Sequence, residues 1–281
     1  MIALRCPVRG CGAPLRREGA RLLDDAGHSF DLAKSGYVNL LQPQDRRSLR
    51  PGDPDEAVAA RRRLFDAGAG AALIDALAAA VGGLGLPAGA RTLDLGSGEG
   101  SILGALALRL GLEAVGVELS ARAADLAARR FPGVLWVVAN ADRALPLADA
   151  SVDLVLSVAA RRNPAECARV LAPGGRLVVA LPAPDDLAEL REAVLGGAAR
   201  EERADKVVRE HAGRFALVSR GVVRERRDFP AAQLADLLAA TYRGGRAGRR
   251  ERAAGLDGLA VTQSQELLVF ALTAPGVPVT P

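Results

Sequence analysis

A doubly wound α/β sheet is the fold class this sequence predicts, on three observations. Short apolar runs alternate with helix-patterned segments between residues 91 and 195, a glycine-rich turn joins the first run to the first helix, and an acid, Glu118, closes the second run. Strands that alternate with helices of this length imply right-handed crossovers and a parallel sheet. The runs carry Val and Leu at both odd and even positions, as strands covered on both faces require.

In chain order, residues 1–45 differ in texture from the rest, with Cys6-Pro7, Cys11-Gly12, short strand-like pieces and His28. They are read as a small ribbon-like module. A turn-rich acidic hinge over 51–55 leads into an Arg-studded helix over 56–67, and a second helix over 71–81 leads through glycines to the first strand. Strands are then predicted over 91–95, 113–118, 134–138, 152–158 and 176–181, and helices near 101–110, 120–130, 164–171 and 185–195. The tail holds a β-rich stretch over 216–228, a helix over 230–242, a basic Gly-Arg loop over 243–252 and a last strand near 265–272. That loop is read as a mobile surface segment, with RNA contact as the sharper alternative. Three units follow: the module over 1–45, linker helices over 46–88 and the main domain over 89–281.

Composition narrows the function classes. Of 281 residues, 49% are hydrophobic and 25% charged, which fits a soluble globular chain and excludes a disordered tail. Apolar stretches are interrupted before the roughly 18 residues that cross a bilayer, and the first residues lack a signal-peptide core, so a cytoplasmic protein with no membrane partner is expected. The net charge of +4 and pI near 9.4 fit a nucleic-acid partner. All but two of the 37 basic residues are arginine, however, which GC-rich coding would also produce, and both explanations stand at this point. Cys6, Cys11 and Cys167 form no disulfide framework, so a reducing compartment is expected.

The chemistry concentrates after the first strand, in Asp94-Leu95-Gly96-Ser97-Gly98-Glu99-Gly100. Glycines there let the backbone turn sharply and approach a ligand, while the following helix N-terminus offers free N–H groups. A dinucleotide fingerprint would need its third glycine at position 101, which is Ser101. At the end of the second strand, Glu118 followed by Leu119 can accept hydrogen bonds from two ribose hydroxyls. Asn140-Ala141-Asp142 follows the third strand, and Val170-Leu171-Ala172-Pro173-Gly174-Gly175 introduces the fifth.

This D-x-G-x-G-x-G spacing and the order of the other segments resemble the class I, Rossmann-like S-adenosylmethionine-dependent methyltransferases. The resemblance implies S-adenosyl-L-methionine as cofactor, held by Asp94, Gly96, Ser97, Gly98, Glu99, Gly100, Glu118, Leu119, Asn140, Ala141 and Asp142. Further segments resemble one subfamily, the 23S ribosomal RNA guanine-N1 methyltransferases, including the tylosin-resistance type. They are Cys6-Pro7, Gly27-His28-Ser29-Phe30-Asp31-Leu32-Ala33-Lys34, Gly36-Tyr37-Val38-Asn39-Leu40-Leu41, Pro51-Gly52-Asp53, Ala60-Arg61-Arg62, Asp66-Ala67-Gly68 and Arg162-Asn163-Pro164.

The subfamily resemblance implies a zinc site of three cysteines and a histidine. Cys6, Cys11 and His28 match, and the third cysteine falls at Asp24. Carboxylates do bind zinc, so a Cys₂-Asp-His site is chemically feasible; a metal-free remnant is the alternative. A cofactor-contacting tyrosine of the family corresponds to Gly70, with Ala69 at the adjacent histidine. Another family histidine corresponds to Asp186, an aromatic and a proline to Ala159 and Arg161, and a tryptophan segment to Thr241-Tyr242-Arg243.

The expected activity is methylation of N1 of a guanine in ribosomal RNA. Arg162 and Asn163, just past the fourth strand, are the residues expected to read the substrate edge; their structural alternative is a capped loop entering the helix at Pro164. His211, Trp136 and Cys167 are read as packing residues. Two rivals on the same fold are a small-molecule methyltransferase and a catalytically silent S-adenosylmethionine- or RNA-binding protein. A nicotinamide oxidoreductase is disfavoured by the glycine spacing. A homodimer is compatible with the sequence.

Overall fold

The computed structural model describes residues 2–45, 51–197, 202–241 and 255–273. The chain opens with a three-stranded antiparallel sheet, β1 (Arg16–Glu18), β2 (Arg21–Leu23) and β3 (Ser29–Asp31). Strand β4 (Val38–Asn39) leaves it, and the helices α1 (Asp55–Asp66) and α2 (Ala71–Gly82) follow. The alternating region comprises β5 (Arg91–Leu95), α3 (Ser101–Leu110), β6 (Glu113–Glu118), α4 (Ala121–Arg130), β7 (Leu135–Val138), β8 (Val152–Val158), α5 (Pro164–Val170), β9 (Leu171–Pro182) and α6 (Ala188–Leu195). Helix α7 (Ala204–His211), β10 (Phe215–Pro230), α8 (Ala231–Ala240) and β11 (Gly258–Leu272) complete the described chain.

Among the described residues the main sheet has the order β10-β11-β9-β8-β5-β6-β7-β4. All neighbours from β9 to β4 run parallel, while β11 is antiparallel to both β9 and β10. The chain reverses its winding between β5 and β8, and in open α/β sheets such a switch point leaves a crevice at the carboxyl ends of the strands. The glycine turn and Glu118 both end strands at that edge.

Two apolar layers hold the sheet. On one face Leu93, Leu95, Val115, Val117, Val155 and Leu177 pack against Cys167 and Val170 of α5, Val207 of α7 and the module residues Ile2, Leu4 and Leu22. On the other, Leu154, Leu156 and Val178 meet Leu77 of α2, Leu103 and Leu106 of α3, Ala127 of α4 and Trp136. The small alanines of α4 bring that helix close to the sheet. A third cluster, with Leu64, Leu190, Phe229, Leu234 and Leu238, ties α1, α6 and α8 to the β10–β11 end.

The structure departs from the sequence expectations in a few places. Strand β4 was read only as part of the module, yet Val38 and Asn39 pair with Val137 and Val138 and extend the main sheet. Helix α7 carries no sequence cap, because Arg203 at its N-cap makes no side-chain bond. Strand β9 starts five residues early and β11 seven, whereas α6 begins at Ala188 after Leu187 in a left-handed conformation. The Gly-Arg loop over 243–252, with Tyr242 and Arg243, lies outside the described residues. Among the described residues no single helix is long and apolar enough to cross a membrane; α1 and α2 pass together by length and composition, but they are bent by 80°.

His211 sits in the core, 1% exposed, stacked on Phe270 and tilted against Phe215, with Nδ1 at 2.7 Å from the Val207 carbonyl. Burial lowers its pKa from 6.5, and the Arg162 charge acts in the same direction. Below pH 6.5 the unfolded chain therefore binds a proton that the folded chain refuses, and stability falls with pH by at most about 1.4 kcal/mol per unit. His211→Phe is expected to flatten that acid limb in urea melts between pH 6.5 and 5. An unchanged limb would assign the proton uptake elsewhere.

Candidate active site

The glycine turn is fastened to β6 before any ligand is considered. The N–H groups of Gly96 and Ser97 both donate to the Val117 carbonyl, at 2.8 and 3.2 Å. Glu118 then bridges two elements: one carboxylate oxygen accepts from Gly98 N–H at 2.9 Å and the other from Ser120 N–H at 2.8 Å. Gly96 has φ +66, and a side chain there would begin 2.6 Å from Cβ of Ala160 in the loop after β8, so only glycine lets these two loops meet. Beneath the turn lies Trp136, 1% exposed, its ring 2.7 Å from where a side chain at Gly100 would begin. Trp136 is thus a core plug, as the sequence suggested, and so is fully buried Cys167, whose thiol burial pushes up to about 12.

Three carboxylates crowd this edge. Asp94 is 3% exposed, one of its oxygens has no hydrogen-bond partner, and burial together with the nearby Glu118 pushes it up to about 8. Burial also raises Glu118 and Glu99, opposed by the Ser120 and Gly98 N–H groups at the first and by the Ser101 hydroxyl at the second. An orphaned buried carboxylate beside a glycine cradle is the donor set that a cationic ligand with hydroxyl groups would satisfy.

Beyond Glu118, Asn140 shapes the turn after β7. Its Nδ2 donates to the Asp45 carbonyl at 3.0 Å, and its Oδ1 accepts from Asp142 N–H at 3.0 Å. Asp142 in turn holds Arg161 at 3.3 Å. Leu119 and Ala141 are half-buried beside these groups. Ala159, after β8, takes a left-handed φ of +50. Arg162 donates to the Ala160 carbonyl at 3.1 Å, and its Nε is buried without a partner. The Asn163 side chain caps α5 by accepting from Ala165 N–H at 3.0 Å.

The remaining family positions have acquired packing roles. A side chain at Gly70 would begin 2.7 Å from the Phe65 ring, so Phe65 fills that space. Asp186 is buried and accepts from Ser264 N–H at 3.0 Å, anchoring β11. Residues near the turn that sequence reasoning passed over as linker include Gly52, which abuts Ser120, and Arg61, whose guanidinium reaches Gly98. The Ala60-Arg61-Arg62 segment marked the region without showing which arginine faces the turn.

In the module, Cys6, Cys11, Asp24 and His28 converge, with one ligand atom from each lying within 4.8 Å of all the others. Neighbouring edges are 3.6 Å from Cys6 to His28, 3.2 Å from Cys11 to Asp24 and 2.8 Å from His28 to Asp24. A tetrahedral zinc with bonds of about 2.3 Å to sulfur and about 2.1 Å to nitrogen or oxygen needs edges of about 3.4–3.8 Å, so to hold it the His28–Asp24 edge must open by about 0.6 Å and the Cys11–Asp24 edge by about 0.4 Å. A hydrogen bond from Cys6 holds Asp24 below the usual carboxylate range, and burial with Asp24 pushes the Cys6 thiol up to about 12. Zinc would displace those thiol protons.

The comparisons fit this geometry. Residues 93–179 match a family model described as a methyltransferase domain, and residues 4–49 match one described as RlmA, N-terminal. The chain is 36% identical over 219 residues, 76% of each chain, to the 23S rRNA (guanine(748)-N(1))-methyltransferase of Streptomyces fradiae. The chain belongs to the 23S rRNA guanine-N1 methyltransferase family. Like other class I methyltransferases, this family member uses S-adenosylmethionine. A demethylmenaquinone methyltransferase of Tropheryma whipplei is 39% identical over 106 residues, 34% of this chain and 43% of its own. The solved YcgJ protein of Bacillus subtilis shares the fold with a TM-score of 0.50 and 17% identity, over 72% of this chain and 98% of its own.

Two outcomes test the site. Asp94→Asn removes a carboxylate whose raised pKa makes the fold lose stability as pH rises from about 4 through 8, so the cofactor-free variant is expected to melt a few degrees higher at pH 8 while binding S-adenosylmethionine more weakly. Thermal melts with and without cofactor check both signs. Metal analysis of fresh protein is expected to return about one zinc per chain and most of it to be lost in Cys11→Ser; less than a tenth of an equivalent in the parent protein removes the metal.

Proposed function

We propose that this chain transfers a methyl group from S-adenosylmethionine to N1 of a guanine in 23S ribosomal RNA, in the cytoplasm. The observation that carries the reading is the clamp of Glu118 on Gly98 and Ser120 beside the orphaned Asp94, in a chain that is 36% identical to an rRNA methyltransferase over 76% of its length and whose residues 4–49 match the RlmA, N-terminal model. The small-molecule relative matches only about a third of the chain, which favours RNA over a small substrate.

S-adenosylmethionine supplies an electrophilic sulfonium methyl for in-line attack, so the protein's part is placement. Each Glu118 oxygen spends one acceptor site on a backbone N–H and keeps another for a ribose hydroxyl. The unpartnered Asp94 oxygen suits the ammonium of the methionine end, and Gly96, Ser97, Gly98, Glu99 and Gly100 form its floor. Asp142 Oδ1, with no hydrogen bond among the described residues, suits the adenine amino group, while Asn140, Leu119 and Ala141 wall that side. Arg162 braces the loop after β8. Asn163 keeps its amide N–H groups for a base edge, since its oxygen is committed to the helix cap. A guanine held within folded RNA needs extrusion to reach such a crevice. The reading divides the chain into a module over 1–45, linker helices over 46–88 and a catalytic domain over 89–281.

Incubation with labelled S-adenosylmethionine and total ribosomal RNA tests the proposal. Label is expected in 23S RNA and, after digestion, in 1-methylguanosine, with Glu118→Ala at least 100-fold slower in kcat/KM. Cofactor binding with no label in RNA would instead favour a small substrate or a silent binder, readings that the changes at Gly70, Ala69 and Asp186 keep in play.

A further inference from the structure

We propose that Arg61, on the helix before the sheet domain, is a cofactor-binding residue whose guanidinium takes the carboxylate of the methionine end of S-adenosylmethionine; this rests on the reading of the glycine turn as the cofactor site. Arg61 lies on α1, away from the turn in sequence, yet its Nη1 is 3.4 Å from where a side chain at Gly98 would begin. Its hydrogen bonds among the described residues both run through Nη2, to Asp53 at 2.7 Å and to the Ala240 carbonyl at 3.4 Å. The nitrogen nearest the turn makes no hydrogen bond among the described residues.

Charge explains what Arg61 is for. The methionine end carries an ammonium and a carboxylate. Asp94, Glu99 and Glu118 around the turn suit the first and repel the second. Without a cation, the carboxylate would face three buried acids with only the helix N–H groups in compensation. The Arg61 charge is felt at both Glu118 and Glu99, so it lies within electrostatic reach of each. A planar fork with five donors matches a carboxylate while retaining Asp53. Asp53 follows Gly52, which packs on Ser120, so the arginine is held over the turn by the segment that covers it.

The rival role is a strut joining α1 to Asp53 and to the end of α8, and ligand chemistry separates the two. Binding to the full chain is measured by calorimetry with S-adenosylhomocysteine and with 5′-methylthioadenosine, which has the same adenosine and sulfur but no amino-acid end. Arg61→Gln is expected to weaken S-adenosylhomocysteine on the order of 10- to 100-fold, the range of a lost charged hydrogen bond, and 5′-methylthioadenosine less than twofold. Arg61→Lys, which keeps the charge without the fork, is expected to fall between on the first ligand with the second again unchanged, and it carries the test if the glutamine variant fails to fold. Equal losses on both ligands, or no loss on either, overturn the assignment alone. A parent protein that binds neither ligand overturns the cofactor reading with it.

Discussion

The carboxylate of Glu118 is the constraint on which the site depends. It ends one strand, and its two oxygens are divided between the turn that follows a neighbouring strand and the first turn toward α4. Gly98 and Ser120 are thereby held at a common anion, and the crevice at the switch point has a preset width. This arrangement is costly while the site is empty of cation. Asp94 lies nearby, buried and half-unpartnered, and burial together with the Glu118 charge opposes its ionisation. A ligand bearing an ammonium and a sulfonium would relieve that opposition.

The same logic extends to the N-terminal module. Its antiparallel sheet has three strands of three residues each, too little apolar surface to stand alone. Two devices compensate. Ile2, Leu4 and Leu22 join the main core, and β4 adds itself to the main sheet. The Cys6, Cys11, Asp24 and His28 cluster then ties the module's loops at one point. Its position is consequently coupled to the strand that precedes Asn140, and Asp45 at its end reaches Asn140 directly.

How much of this was legible follows from the range of each signal. Strands β5, β6 and β8 carry the bounds read from sequence, because each is a short Val- and Leu-bearing run set between turns and helix-patterned segments. Glu118 and the glycine turn were legible for the same reason: their meaning comes from being first after a strand. Strand β4, only two residues long, has no period to detect, and the polar start of β11 hid its pairing with β10. Arg61 was illegible as a site residue. On its own helix it is one of three consecutive arginines, and nothing local distinguishes it from Arg62 or Arg63, which pair with Asp66 and with Glu56 and Asp236.

The departures from the family acquire a common sense in this light. Gly70 stands where the family resemblance implies a cofactor-contacting tyrosine and Asp186 where it implies a histidine, but neither position is vacant of purpose. Phe65 has taken the volume beside Gly70, and Asp186 is spent on Ser264 and Gln265 in β11. Side chains used for packing cannot also grip a ligand, which leaves backbone N–H groups, Asp94 and Arg61 within reach of the turn for the methionine end in the proposed site. Because Arg61 is shared with Asp53 and with the last carbonyl of α8, the proposed role for Arg61 ties cofactor binding to the placement of α1 and α8, the two helices packed against each other over the β10–β11 end. Neither helix belongs to the parallel sheet whose turn carries the cofactor motif.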